Sequence, residues 1–109
     1  MKISNPKPIQ FTAINVATSI RAIDGTVYFN SSVPRMVIVT MTMNTNGDNI
    51  AQFYIGATAA PATLAAEWGG NVLLAAQSYG SVTFIVPVGY YYKATQTGTI
   101  TLLAWLEHT

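Results

Sequence analysis

Groups able to do covalent chemistry are few in this chain, and their spacing does not gather them. His108 is the single histidine; no serine, cysteine or second ligand stands near it at a spacing that would make it a general base or a metal ligand. The four carboxylates, Asp24, Asp48, Glu67 and Glu107, are widely separated and sit in turn or terminal settings. They do not signal the facing pair that hydrolytic acid–base chemistry needs. Cysteine is absent, which removes disulfides, thiolate metal sites and thiol nucleophiles together. No glycine-rich phosphate cradle is present. The expectation is a protein that is not an enzyme and uses no cofactor and no metal.

Groups suited to contact rather than reaction are better represented. Trp68 stands in Glu67-Trp68-Gly69-Gly70, read as a loop, where a large rigid ring beside glycines could meet a partner. With Glu67 and the turn asparagines Asn46 and Asn49 it makes a candidate contact for a partner or a glycan; the competing reading is an indole tucked down as a loop anchor. Tyr90, Tyr91, Tyr92 and Trp105 are candidate subunit-interface residues. Met36, Met41 and Met43 fit gap-filling in a core or interface. Asn30-Ser31-Ser32 matches the glycosylation acceptor pattern, and reads as a chance match because no signal peptide is visible at Met1–Pro8.

Half of the 109 residues are hydrophobic and only 8% are charged, against about a quarter in ordinary soluble domains. The longest apolar runs, Val72 to Ala76 and Leu102 to Leu106, fall far short of the roughly 20 residues a membrane helix needs. No membrane insertion by helix is expected. Sparse charge fits a surface partly covered by copies of itself or by a larger assembly. The net charge is +1 and the basic residues Lys2, Lys7, Arg21, Arg35 and Lys93 are scattered singly, so no stripe exists to neutralise phosphates. Nucleic acid is not an expected partner.

The elements that position these residues read as strands. Pro6 and Pro8 make residues 1–9 an extended arm, with Lys2, Pro6, Lys7 and Pro8 as candidate attachment residues; residues 10–109 form one domain. Gln10 to Arg21 is β-rich with imperfect alternation. Asp24-Gly25 is a turn before a short strand at Thr26–Asn30. In Arg35–Met43, Val37, Val39, Met41 and Met43 share a face. Asn44–Asn49 is a dense turn signal, predicting a hairpin to a strand over Ile50–Ile55. Pro61 and the pair Gly69-Gly70 suggest one or two helical turns within a 57–70 loop. Val72–Ala76 is a brief apolar segment. Alternation then marks Ser81–Val86, Tyr90–Thr95 and Thr99–Glu107, with Pro87-Val88-Gly89 as a tight connection; in the last, Ile100, Leu102, Ala104 and Leu106 share one parity. Seven to eight short strands predict an all-β, antiparallel, jelly-roll-like β-sandwich.

The succession Gly25-Thr-Val-Tyr-Phe-Asn30, Pro34 to Met43, Ala51-Gln-Phe-Tyr-Ile-Gly56, Gly80 to Thr95 and Thr99 to Glu107 resembles bacteriophage tail-fibre and tailspike tip modules. The likeness runs from Asp24 to Glu107, with Pro87-Val88-Gly89 on the family's Pro-x-Gly turn and Trp105 on its C-terminal tryptophan. It implies a β-sandwich that assembles as a homotrimer on a virion surface with other virion proteins. Fibre tips often follow a long fibrous region, whereas here little precedes the match; the expectation becomes a small virion component, a capsid decoration protein or a tail adhesin, made in the host cytoplasm. The alternative is a carbohydrate-binding module reading a host surface glycan through Trp68 and its neighbours.

Overall fold

Alternation decides the architecture. Along Arg35–Met43 the side chains of Val37, Val39 and Met41 are fully enclosed while Met36, Ile38 and Thr40 between them are only half-buried, and Val82, Phe84 and Val86 repeat the alternation along Ser78–Val86. Strands with one apolar parity must stack two sheets face to face to bury it. The protein does so in a computed structural model that describes residues 13–14, 20–44, 47–72 and 77–109. The arm with Lys2, Pro6, Lys7 and Pro8, the turn residue Asn46, most of the 10–21 segment and Leu73–Ala76 lie outside the described residues.

Eight strands are described: β1 (Ala13–Ile14), β2 (Tyr28–Phe29), β3 (Arg35–Met43), β4 (Gly47–Gly56), β5 (Thr63–Val72), β6 (Ser78–Val86), β7 (Tyr91–Thr97) and β8 (Thr101–His108). They form two antiparallel four-stranded sheets, ordered β1-β8-β3-β6 and β2-β7-β4-β5. This is an all-β sandwich, and its strand order is that of an eight-stranded jelly roll. The ladders are nested: Ala13 pairs His108, Tyr28 pairs Tyr92, Val37 pairs Phe84 and Ala51 pairs Trp68. The chain is one long antiparallel ribbon doubled back near Ala60-Pro61 and wrapped on itself. Between the sheets, one cluster holds Val37, Val39, Met41, Ala51, Phe53, Phe84, Tyr92, Ala94 and Trp105.

Two sequence expectations are corrected. Residues 35–43 and 50–55 are not a hairpin: β3 pairs with β6 and β8, whereas β4 pairs with β5 and β7. Turn residues specify a reversal but not a ladder partner, and the two apolar faces oppose each other across the core. The 57–70 region has no helical turn; Thr63–Val72 is strand. The glycines that resemble a helix stop have another cause. Gly69 takes φ 132°, and a Cβ there would run into the Asn49 carbonyl on the neighbouring strand. Pro61 is fully buried, and a Cβ on Gly56 would collide with the proline's Cα.

Two bulges complete the frame. Opposite β4, Ala65 is the extra residue of β5; opposite β3, Leu103 is the extra residue of β8. A bulge shifts the pleat by one residue. Leu102 and Trp105, of opposite parity in the sequence, therefore both point inward, and Leu103 stands exposed.

Candidate functional site

The same bulge delivers Glu107 to the interior, because residues two apart on a strand share a face. Its carboxylate is completely buried. Trp105 Nε1, two residues back, donates to Oε2 at 2.8 Å. From the start of β3, Arg35 Nη1 donates to Oε1 at 2.7 Å, and from the segment before β2, Arg21 Nε donates to Oε2 at 2.9 Å. The Tyr92 hydroxyl, on the opposite sheet, donates to the carboxylate with both oxygens at 3.0 Å. Arg21 also stacks on Tyr28, its guanidinium carbon 4.3 Å from the ring centre, and the Tyr28 hydroxyl accepts from Ala22 N–H at 3.0 Å.

Electrostatics fix the protonation states. Burial alone would raise the Glu107 pKa, but bonds from Arg21, Trp105 and Arg35 together hold it below the ordinary carboxylate value. Burial and the neighbouring carboxylate push the Tyr92 hydroxyl above its ordinary value, keeping it a donor. Every strong direction at the carboxylate is occupied, two of them by permanent cations. Such a group neither exchanges a proton near neutrality nor offers a lone pair to a substrate. Chemically it is a clamp that ties both sheets and the 20–27 segment together. Gln96 Nε2 bonding Ile23 O at 3.0 Å and Gly25 N–H bonding Ala94 O at 2.8 Å fasten that segment further.

The expected site residues are not brought together. Trp68 belongs to strand β5 rather than to a loop; it is half-buried against the core, and a Cβ on Gly80 would fall inside its indole. The ring thus closes the flank where β5 and β6 approach. Glu67 faces out from the other side of that strand, accepting from Gln52 Nε2 at 3.1 Å. Asn49 is buried, and its Oδ1 accepts from Thr99 N–H at 2.8 Å, which makes it a brace for the β7–β8 turn. Tyr92 and Trp105, expected at a subunit interface, are enclosed by their own chain at 1% exposure each. Tyr90 is half-buried against the core. Tyr91 faces outward beside Phe29, ring centres 4.6 Å apart.

Asn30 is also interior. Its Nδ2 donates to the carbonyls of Val33 at 2.7 Å, Val86 at 3.0 Å and Pro87 at 3.2 Å, so the acceptor-pattern nitrogen is sealed from any glycosylating enzyme. Its backbone bonds both Tyr90 and Gly89, locking the turn that Tyr90 N–H closes on Pro87 O, with Gly89 at φ 81°. Among the described residues no three His, Cys, Asp or Glu side chains gather as a metal site, and the described surface has no pocket.

The two outer faces differ in kind. On the face of the β2-β7-β4-β5 sheet, Lys93 lies 5.5 Å from the centre of the Tyr54 ring, Tyr54 bonds Gln52 at 2.8 Å, and Gln52 bonds Glu67. On the β1-β8-β3-β6 sheet, the outward parity of β3, β6 and β8 carries Met36, Ile38, Thr40, Tyr79, Ser81, Thr83, Ile85, Ala104, Leu106 and, at the end of β8, His108, with no Asp, Glu, Lys or Arg among these described positions. The protein is therefore a jelly-roll module with a buried ionic clamp and one outer face that, among the described residues of β3, β6 and β8, carries no carboxylate, lysine or arginine. Comparison with protein-family models, with curated proteins and with solved structures finds no match.

Proposed function

We propose that this is a non-enzymatic structural protein of a phage particle, a homotrimeric virion-surface component such as a decoration protein or tail adhesin tip. The observation that carries the reading is the outer face of a jelly-roll sheet whose described positions on β3, β6 and β8 carry no carboxylate, lysine or arginine. Exposed Tyr79 and Ile85 beside half-buried Met36, Ile38 and Leu106, without an acidic, lysine or arginine neighbour on those strand positions, suit a surface covered by neighbouring subunits. The jelly roll is a fold common in viral capsids and lectins, which raises the prior without assigning a function. The sequence resemblance points the same way. Light scattering on the purified chain tests the assembly; a monomer throughout the micromolar range would count decisively against it.

A second reading has its own observation. The opposite outer face lines up Phe29 with Tyr91 and Tyr54 with Lys93, beside Gln52 and Glu67, a flat set of rings, amides and charges that suits the faces and hydroxyls of sugars. Under this reading Trp68 is a brace and Tyr54 the contact. A glycan array with wild type and Tyr54→Ala separates them: glycan binding lost with Tyr54 supports it, and no binding by wild type removes it.

A further inference from the structure

A sheet edge is a row of unpaired N–H and C=O groups, and proteins protect such rows with short strands, charges, prolines or bulges. Among the described residues, three of the four edges are protected. The outermost strands β1 and β2 are two residues long. Strand β5 carries the Ala65 bulge and the exposed charge of Glu67. The fourth, β6, has none of these. It runs nine residues, Ser-Tyr-Gly-Ser-Val-Thr-Phe-Ile-Val, without charge or proline, and its register with β3 is unbroken from Arg35–Val86 to Met43–Ser78. Among the described residues only β3 pairs with it. The Trp68 indole lies on the inward side of Gly80, away from the outer face of the strand.

We infer that β6 is a docking edge for β6 of a second copy, the two strands pairing antiparallel about Val82 so that one sheet continues across both chains. The sequence of the strand suits itself in this register. On the outer face Tyr79 meets Ile85 and Ser81 meets Thr83, an aromatic with a β-branched residue and two hydroxyls, both favourable cross-strand pairs. Charge fits as well: a strand without charge meets its copy without like-charge repulsion. The contact is isologous and closes on itself. It goes beyond the proposed three-fold assembly, since it joins copies in twos; within trimers it would link one trimer to the next.

Sedimentation of wild type and of the double variant Ser81→Lys/Thr83→Lys, which places lysines opposite one another across the pair, tests the inference, with Thr97→Lys on the other sheet as control. The expected result is an even-numbered wild-type species whose mass halves in the double variant, the dissociation constant rising at least tenfold, and no change in the control. A wild-type monomer overturns the inference and the assembly reading together. A trimer indifferent to the lysines overturns the inference alone, and a dimer halved by them supports it while removing three-fold symmetry. Should the lysines unfold the chain, Ser81→Cys mixed with Thr83→Cys gives the answer. The chain has no other cysteine, so a disulfide forming preferentially between the two variants supports the pairing; no such preference overturns it.

Discussion

Replacing Glu107 with glutamine tests the clamp directly. The shape is kept, but one acceptor becomes an amide donor surrounded by donors. With the carbonyl at the Oε2 position, Arg35 faces an NH2 group; with it at Oε1, Arg21 Nε and Trp105 Nε1 do. Removing one partner of a buried ion pair costs about 3–5 kcal/mol. The arginines keep 16% and 19% side-chain exposure, so water takes up part of the loss, and we expect about 3 kcal/mol of destabilisation. At roughly 4 °C per kcal/mol for a domain of this size, Tm falls by about 12 °C. Urea unfolding followed by tryptophan fluorescence is the assay, since Trp105 reports from inside the network. The pH dependence adds a sign. Glu107 is depressed when folded, so its contribution is whole above the unfolded carboxylate pKa and drains as pH falls through the lower folded value. The gap between wild type and variant must narrow on acidification. Asp24, also depressed by its bonds to Thr26, leaves both proteins a residual acid sensitivity. A neutral-pH difference below about 1 kcal/mol, the size of an average substitution, or a gap indifferent to acid, would refute the reasoning.

Three further outcomes follow from the packing. Gly80→Ala, which drives a methyl into the Trp68 indole, should cost about 1–3 kcal/mol, and a double-mutant cycle with Trp68→Ala should recover most of it; additive costs would mean the ring does not rest there. Gly98 and Gly89 both have left-handed φ, but only Gly98 has a neighbour, the Asp48 carbonyl, where its Cβ would go. Denaturant midpoints should therefore show Gly89→Ala costing about 1 kcal/mol, the conformational penalty alone, and Gly98→Ala clearly more. Asn30→Ala strips the donor from three carbonyls and should cost about 2–3 kcal/mol, read by thermal melting with the far-ultraviolet circular dichroism spectrum unchanged at low temperature.

Strand content was legible where one parity is apolar without interruption, as in Arg35–Met43 and Ser81–Val86. Partners were not, because the Asn44–Asn49 turn marks a reversal whether the next strand joins the same sheet or the facing one. Ala-rich sequence between Pro61 and Gly69 imitates a helix with start and stop signals, while the structure uses both residues for close backbone approach. The clamp was hidden for two reasons. Its members come from positions 21, 35, 92, 105 and 107, with no common spacing, and the Leu103 bulge makes Ile100 and Leu102 share a side with Trp105 and Glu107, which simple alternation forbids. The one available signal was the pair Trp105 and Glu107, a lone acid two residues from an indole at the end of an apolar strand.

The nested ladders also set an order in time. Only β4 and β5 pair across a short connection; β3 with β6, β2 with β7 and β1 with β8 span progressively longer stretches of chain. Closing an outer pair first would fix a large loop at full entropic cost, whereas each inner pair already formed shortens the loop left to close. The ribbon should nucleate around Pro61 and zip outward, with folding times in the millisecond-to-second range typical of β-sandwiches dominated by distant contacts. The ionic clamp, joining residues 86 positions apart, can form only when that zipper has run to its end, so it acts on the unfolding rate and not on the speed of folding.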